Sequence, residues 1–420
     1  VTVVEPRAAT PVPAGRGRWR VELHGRTYVQ TQTYRTVIAE LTDARGRRLD
    51  QAWDSSATFT FTLDGHSPGA ALITELTQDV ICYRWDEQTG ADRMVFRGPI
   101  TQAEDQLNED SHTVTFTCHD YLAMLDRRIT TSAITRTATD QDTLVATLVS
   151  VATQTFTSGM PGVPPVALSP GSFLPITVAA LNPDGTTRGA SGQLRDRTWP
   201  ASTVIGPAID DLSKVINGFD YDMTPGAIGL DSLRVWYPAQ GVARPDVALM
   251  YGSNVATVTR SATSSDYTNY WRILGNNGSS DPAAAQLYSE AWNADATNGA
   301  AGAVGLWMNA DNAADVTIQS TLDQRVQGAL ALSGVLIPTY TLGLAPDAYT
   351  WGNPNMGDTV PLIILSGRLN VNTNVRVMGI SYDIGDDGQE DVILTVGRPA
   401  QSFIDMLTRA DRDVDALTRR

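Results

Sequence analysis

The chain has 420 residues and a formal net charge of −15, with 42% hydrophobic and 18% charged residues. That composition excludes a disordered chain and a small disulfide-stapled scaffold, and at about 150 residues per domain the length predicts two to four domains. No stretch reaches the roughly 20 apolar residues of a membrane-spanning helix, and an acidic body argues against gripping nucleic acid by phosphate neutralisation.

Residues 1–50 hold nine arginines against five acids. They open on a Pro- and Ala-rich arm with no apolar signal core, so no secretory peptide is expected. The first 130 residues then read as strand. Trp19, Val21 and Leu23 alternate with Arg20 and Glu22, and Phe59, Phe61 and Leu63 alternate with threonines, the period of a half-buried strand. Residues 80–85 and 94–100 flank a turn-like 86–92 and predict a hairpin. Val114, Phe116 and Cys118 form another alternating strand. Short helices are expected after Ser67-Pro68 and over 120–126, with Asp120 as cap.

Beyond Asp140 the pattern changes. Leu144, Leu148 and Val151 share a helical face behind that capping residue. Residues 159–207, rich in Gly, Pro, Ser and Thr, read as extended loop. A helix is expected from Ala208 with Gly218 as its stop, then strands at 232–237 and 254–260. A helix over 321–333 precedes strands at 337–344, 359–365, 374–383 and 391–397. The run 401–420 predicts a terminal helix. Its Phe403, Leu407, Ala410, Val414 and Leu417 step by 4, 3, 4, 3, the spacing of a heptad seam that docks on its own chain, an oligomer or a partner. The expected fold class is α+β, mostly β. A β-barrel-like domain (1–130) with its basic arm and a β-rich domain (261–400) flank a mixed region (131–260), and the helix (401–420) follows.

Catalytic constellations are sparse. The single lysine, Lys214, lacks the glycine spacing of a phosphate loop. His24, His66, His112 and His119 never pair at zinc-ligand spacing. Ser191 lacks half of a nucleophile elbow. His119-Asp120 reads as a strand end followed by a helix cap rather than part of a triad. The acid-rich run 383–391 departs from the twelve-residue calcium loop and reads as a hairpin turn. Cys82 and Cys118 lie in apolar strands and read as buried thiols, with pairing left open. No cofactor, metal site or enzymatic activity is expected. Two aromatic groups, Tyr267/Tyr270/Trp271 and Tyr349/Trp351, fit either a sugar-stacking platform or packing anchors.

Several segments together resemble the tail-hub proteins of long-tailed bacteriophages, especially minor tail proteins of phages that infect actinobacteria. They are Phe59 to Pro68 (FTFTLDGHSP), Asp79 to Asp86 (DVICYRWD), Phe96 to Ile100 (FRGPI) and Asp120 to Arg128 (DYLAMLDRR). Further along come Leu233 to Pro238 (LRVWYP), Leu344 to Tyr349 (LAPDAY), Met356 to Val360 (MGDTV) and Val375 to Ile380 (VRVMGI). They fall between about residues 60 and 400, and 159–199 is the least matched stretch.

The resemblance implies a structural virion protein, a baseplate or tail-tip hub made in the host cytoplasm. It implies a homotrimeric ring of two barrel domains per chain, joining the tail tube to the tip. Partners implied are the distal tail protein, the tape measure protein and tip or fibre proteins, with DNA passing through the channel unbound. The competing expectations are a host-surface glycan binder and a cell-wall hydrolase. For the hydrolase, the twenty or so residues after the last predicted strand leave no room for the extra domain some hub relatives carry.

Overall fold

The computed structural model describes residues 16–29, 32–86, 89–153, 174–179, 191–213, 218–226, 230–262, 264, 267–275, 286–294, 304–313, 319–334, 336 and 338–397. The N-terminal arm over 1–15 and the seam from Phe403 to Leu417 lie outside these. The fold is mostly β. Contacts group the chain into two units. The first holds Val1–Val258 with Leu342–Thr373 and Val377–Thr395, and the second holds Thr259–Thr341 with Asn374–Arg376 and Val396–Arg420.

The first third contains β1 (Trp19–Val29), β2 (Gln32–Glu40), β3 (Arg45–Ala52), β4 (Thr58–Asp64), β5 (Gln78–Asp86), β6 (Ala91–Leu107) and β7 (His112–His119). The alternation in β4 buries Phe59, Phe61 and Leu63, and its register sets Phe61 opposite Phe116 of β7. Their rings stack at 5.2 Å. The predicted hairpin is the β5–β6 pair. β6 runs for 17 residues. Its N-terminal half pairs with β5, and a register shift between Ile100 and Gln102 turns the other half onto β7. Such a bulge re-aims a strand that must serve two partners. The short helix α1 (Pro68–Ala71) is capped by Ser67, whose hydroxyl accepts from the Ala70 N–H. A 3₁₀ helix (Tyr121–Arg127) starts at Asp120, which accepts from the Leu122 N–H.

The middle of the chain adds β8 (Ile134–Asp140), α2 (Gln141–Thr153), β9 (Ile176–Val178), β10 (Leu194–Trp199), α3 (Ile205–Ser213), β11 (Asp220–Thr224), β12 (Asp231–Trp236), β13 (Leu249–Met250) and β14 (Val255–Ser261). The second unit contributes β15 (Tyr270–Gly275), β16 (Tyr288–Trp292), β17 (Met308–Ala313) and α4 (Gln319–Ser333). Then come β18 (Thr339–Leu344), β19 (Thr359–Ser366), β20 (Leu369–Ile384) and β21 (Glu390–Gly397).

Two expectations need correction here. Residues 159–207 are not all loop, because β9 and β10 lie within them. β9 is stabilised by parallel pairing with β12 and β10 by antiparallel pairing with β8, partners remote in sequence that local composition cannot reveal. The helix expected from Ala208 begins three residues earlier, at Ile205. Pro207 is tolerated there because the first turn's N–H groups have no helical partner.

Among the described residues, thirteen strands join one sheet along the path β14-β18-β21-β20-β3-β4-β7-β6-β5-β1-β2, with β13 and β19 paired beside it. Strands from the two ends of the described chain therefore share a sheet. The join is β3 with β20, Leu49 opposite Tyr382. Beside this sheet the first unit has a second core. Leu144, Val145 and Leu148 of α2 and Ile205, Ile209 and Leu212 of α3 pack with Tyr121, Leu125, Leu233 and Val235.

Candidate functional site: an open aromatic face

The second unit is a three-stranded sheet in the order β16-β15-β17 with a helix on one side. The period-two alternation of a strand divides its side chains cleanly. Ile273 and Ala291 face α4 and are buried with Leu322 and Val326, while Trp271, Ala329 and Leu330 pack around them. The Trp271 indole Nε1 donates to Ser333 Oγ at 2.6 Å, and Ser289 Oγ donates to Asp323 Oδ1 at 2.6 Å. Those bonds tie both ends of the helix to the sheet.

The opposite face carries the alternate residues. Tyr270 is set between Trp292 of β16 and Met308 of β17, and Arg272 is opposite Glu290. The Tyr270 and Trp292 rings lie 6.4 Å apart at 21°. The Arg272 guanidinium sits 4.5 Å from the centre of the Tyr288 ring and 3.6 Å from Glu290. Trp292 is 53% exposed, Tyr288 49% and Met308 64%. Leu306 and Trp307, just before β17, are exposed too. Asn269, fully buried, anchors that stretch by accepting from the Trp307 N–H and donating to the Gly305 carbonyl. Large apolar side chains gathered on one sheet face mark an interaction surface.

Of the aromatic group Tyr267/Tyr270/Trp271, Tyr270 lies on this open face beside Trp292. Trp271 is an anchor against α4, and Tyr267 meets the Trp307 ring edge-on at 6.0 Å. Trp351 is also a packing residue. It stacks on Tyr382 at 4.4 Å with the Arg84 guanidinium 4.8 Å from its ring centre, and Tyr349 Oη lies 2.9 Å from Tyr382 Oη. Tyr288, Trp292 and Met308 were missed because β16 and β17 are short. The alternation Tyr288-x-Glu290-x-Trp292 was the available signal.

Several polar residues singled out in the sequence have local structural partners. His119 Nδ1 lies 2.8 Å from Thr101 Oγ1. Asp120, buried, accepts from Ser56 Oγ and from the Ala57 and Leu122 N–H groups, and burial pushes its carboxyl up to about 6. Ser191 donates to Asp140 Oδ1 at 2.7 Å, which makes it a loop anchor ahead of α2. The acid-rich run 383–391 is the turn between β20 and β21, closed by the Gly388 N–H donating to the Gly385 carbonyl. Cys82 and Cys118 are both free and buried. Among the described residues, no group of three or more His, Cys, Asp and Glu is placed to hold a metal ion. A polar cleft of about 220 Å³ in the first unit is lined by Arg93, Asp222, Arg234, Gln240 and Asn355. Asp222 there is engaged by Arg234 Nε at 2.7 Å and by Gln240 Nε2 at 3.0 Å.

No protein-family model matches the chain, and no curated protein matches it in sequence. Solved structures do match. The 43 kDa tail protein of prophage MuSo2 from Shewanella oneidensis superposes with a TM-score of 0.53 at 11% identity, over 90% of this chain and 98% of that one. The chain has the fold of a phage tail protein. A tail protein from Neisseria meningitidis (12% identity, TM-score 0.48, 91% and 97% covered) and a prophage tail protein from Listeria monocytogenes (9%, 0.47, 94% and 99%) are also similar. At these identities the likeness speaks for the fold alone.

Proposed function

We propose that the chain is a structural virion protein, a baseplate or tail-tip hub that joins the tail tube to the tip. Three copies form a ring around the DNA exit channel, as in the minor tail proteins of long-tailed phages of actinobacteria. The observation that carries this reading is the tail-protein fold over 90% of the chain. The resemblance of segments between residues 60 and 400 to tail hubs supports it independently. So does the charge, since a wall that lets DNA pass without holding it is negative or neutral. Its partners in this reading are the distal tail, tape measure and tip or fibre proteins, and its role is non-enzymatic.

Light scattering behind size exclusion tests the ring. A solution mass of three times 45.2 kDa is expected. Antibody against the chain should label the distal end of the tail in virions. Label absent from virions, or turnover of purified peptidoglycan by the chain, would overturn the reading.

A further inference from the structure

We propose that the terminal seam of one copy docks on the open aromatic face of a second copy. The inference rests on the ring reading and supplies its contact. The described chain stops at Gly397, and 23 residues follow it. The 4, 3, 4, 3 spacing of Phe403 to Leu417 is the sequence pattern of an apolar helical stripe. At 1.5 Å per residue that stripe is about 21 Å long. The six residues of β15 span about 20 Å. Stripe and sheet face therefore match in length and in apolar character.

The second unit already shows the mode of contact, because α4 covers the other face of the same sheet through a comparable apolar stripe, Leu322, Val326, Ala329 and Leu330. A helix on the open face completes a three-layer arrangement and removes Trp292, Tyr288 and Met308 from water. The central charges of that face, Arg272 and Glu290, are paired with each other. An apolar stripe then meets no unpaired charge there.

Seam and face are different patches, and each copy has one of each. A contact of that kind is heterologous, and it closes into a ring when its rotation is one third of a turn. Each copy both gives a helix and receives one.

Cysteine pairing on the full chain tests this. Tyr288→Cys and Ala410→Cys are made separately, mixed and mildly oxidised, and the native thiols are buried and do not compete. A disulfide between the two different chains, absent when either variant is oxidised alone, is expected. Removing residues 401–420, or Trp292→Asp, should lower the mass from three copies to one at low micromolar concentration while the β-strand signal in circular dichroism stays unchanged. No disulfide between the two variants, with one forming inside a third variant that carries both substitutions, would overturn the proposal. So would a three-copy mass that survives both changes, and in that case the ring reading stands without this contact. A full chain that is single-copy at every concentration would overturn both. Saturable binding to purified host cell-wall polysaccharide, abolished by Trp292→Ala with the three-copy mass intact, would give the face to a glycan.

Discussion

Arg84 and Glu390 form a buried two-point ion pair, with Nε to Oε1 at 2.7 Å and Nη2 to Oε2 at 3.0 Å, and Trp19 Nε1 donates to the same Oε1 at 2.7 Å. The pair ties β5 to the start of β21 inside the first unit. Removing one partner of a buried pair strands the other charge without water. Glu390→Gln should cost about 3–5 kcal/mol, read as a lower urea midpoint. An unchanged midpoint would mean the carboxylate is dispensable.

Asp120 gives a pH signature. Its folded carboxyl is raised to about 6 by burial, against an ordinary value near 3.8. Between those values the folded chain binds more protons than the unfolded one. This group's contribution to stability therefore falls as pH rises through that window and is flat above it. Melts of the native chain and Asp120→Asn from pH 4 to 7 should differ by an amount that shifts against the native chain up to about pH 6. A difference independent of pH would refute the assignment.

Burial raises both thiols, Cys82 and Cys118, far from the reactive range. The native chain should give no colour with a thiol reagent at pH 8, and two equivalents in guanidinium chloride. Rapid native labelling would place one of the strands elsewhere.

A side chain at Gly98 has no room. A Cβ there would overlap the carbonyl of His119. Backbone cannot give way as a flexible side chain can, so Gly98→Ala should destabilise by about 1–3 kcal/mol or more, measured by denaturant unfolding.

The two faces of the small sheet should respond differently to Trp→Phe. Trp271→Phe loses the bond to Ser333 and should cost about 0.5–1.5 kcal/mol. Trp292→Phe in dilute single-copy chain should stay within about 0.5 kcal/mol. Equal costs would contradict the division of faces.

What the sequence revealed follows from range. The alternation Phe59-x-Phe61-x-Leu63, the helix start after Ser67-Pro68, the cap Asp120 and the turn at 385–388 depend on neighbours a few residues away, and each was legible. β9 is held by β12, some fifty residues on, and β15 by β17 across Gly- and Asn-rich sequence, so neither carries a complete local signal. The same limit hid the site. Whether Trp271 or Trp292 meets solvent is decided by which side α4 covers, and that is a tertiary fact.

The pairing of β3 with β20 constrains how the chain is made. The Arg48–Asp383 ion pair bridges 335 residues, so β3 finds its neighbour only after more than three hundred further residues have been made. At roughly 5–20 residues per second, β3 waits about 15–70 s with one hydrogen-bonding edge unpaired. The nascent protein thus carries a sticky edge through that interval, and yield in a recombinant host should respond to chaperone supply and growth temperature more than to the stability of the finished fold.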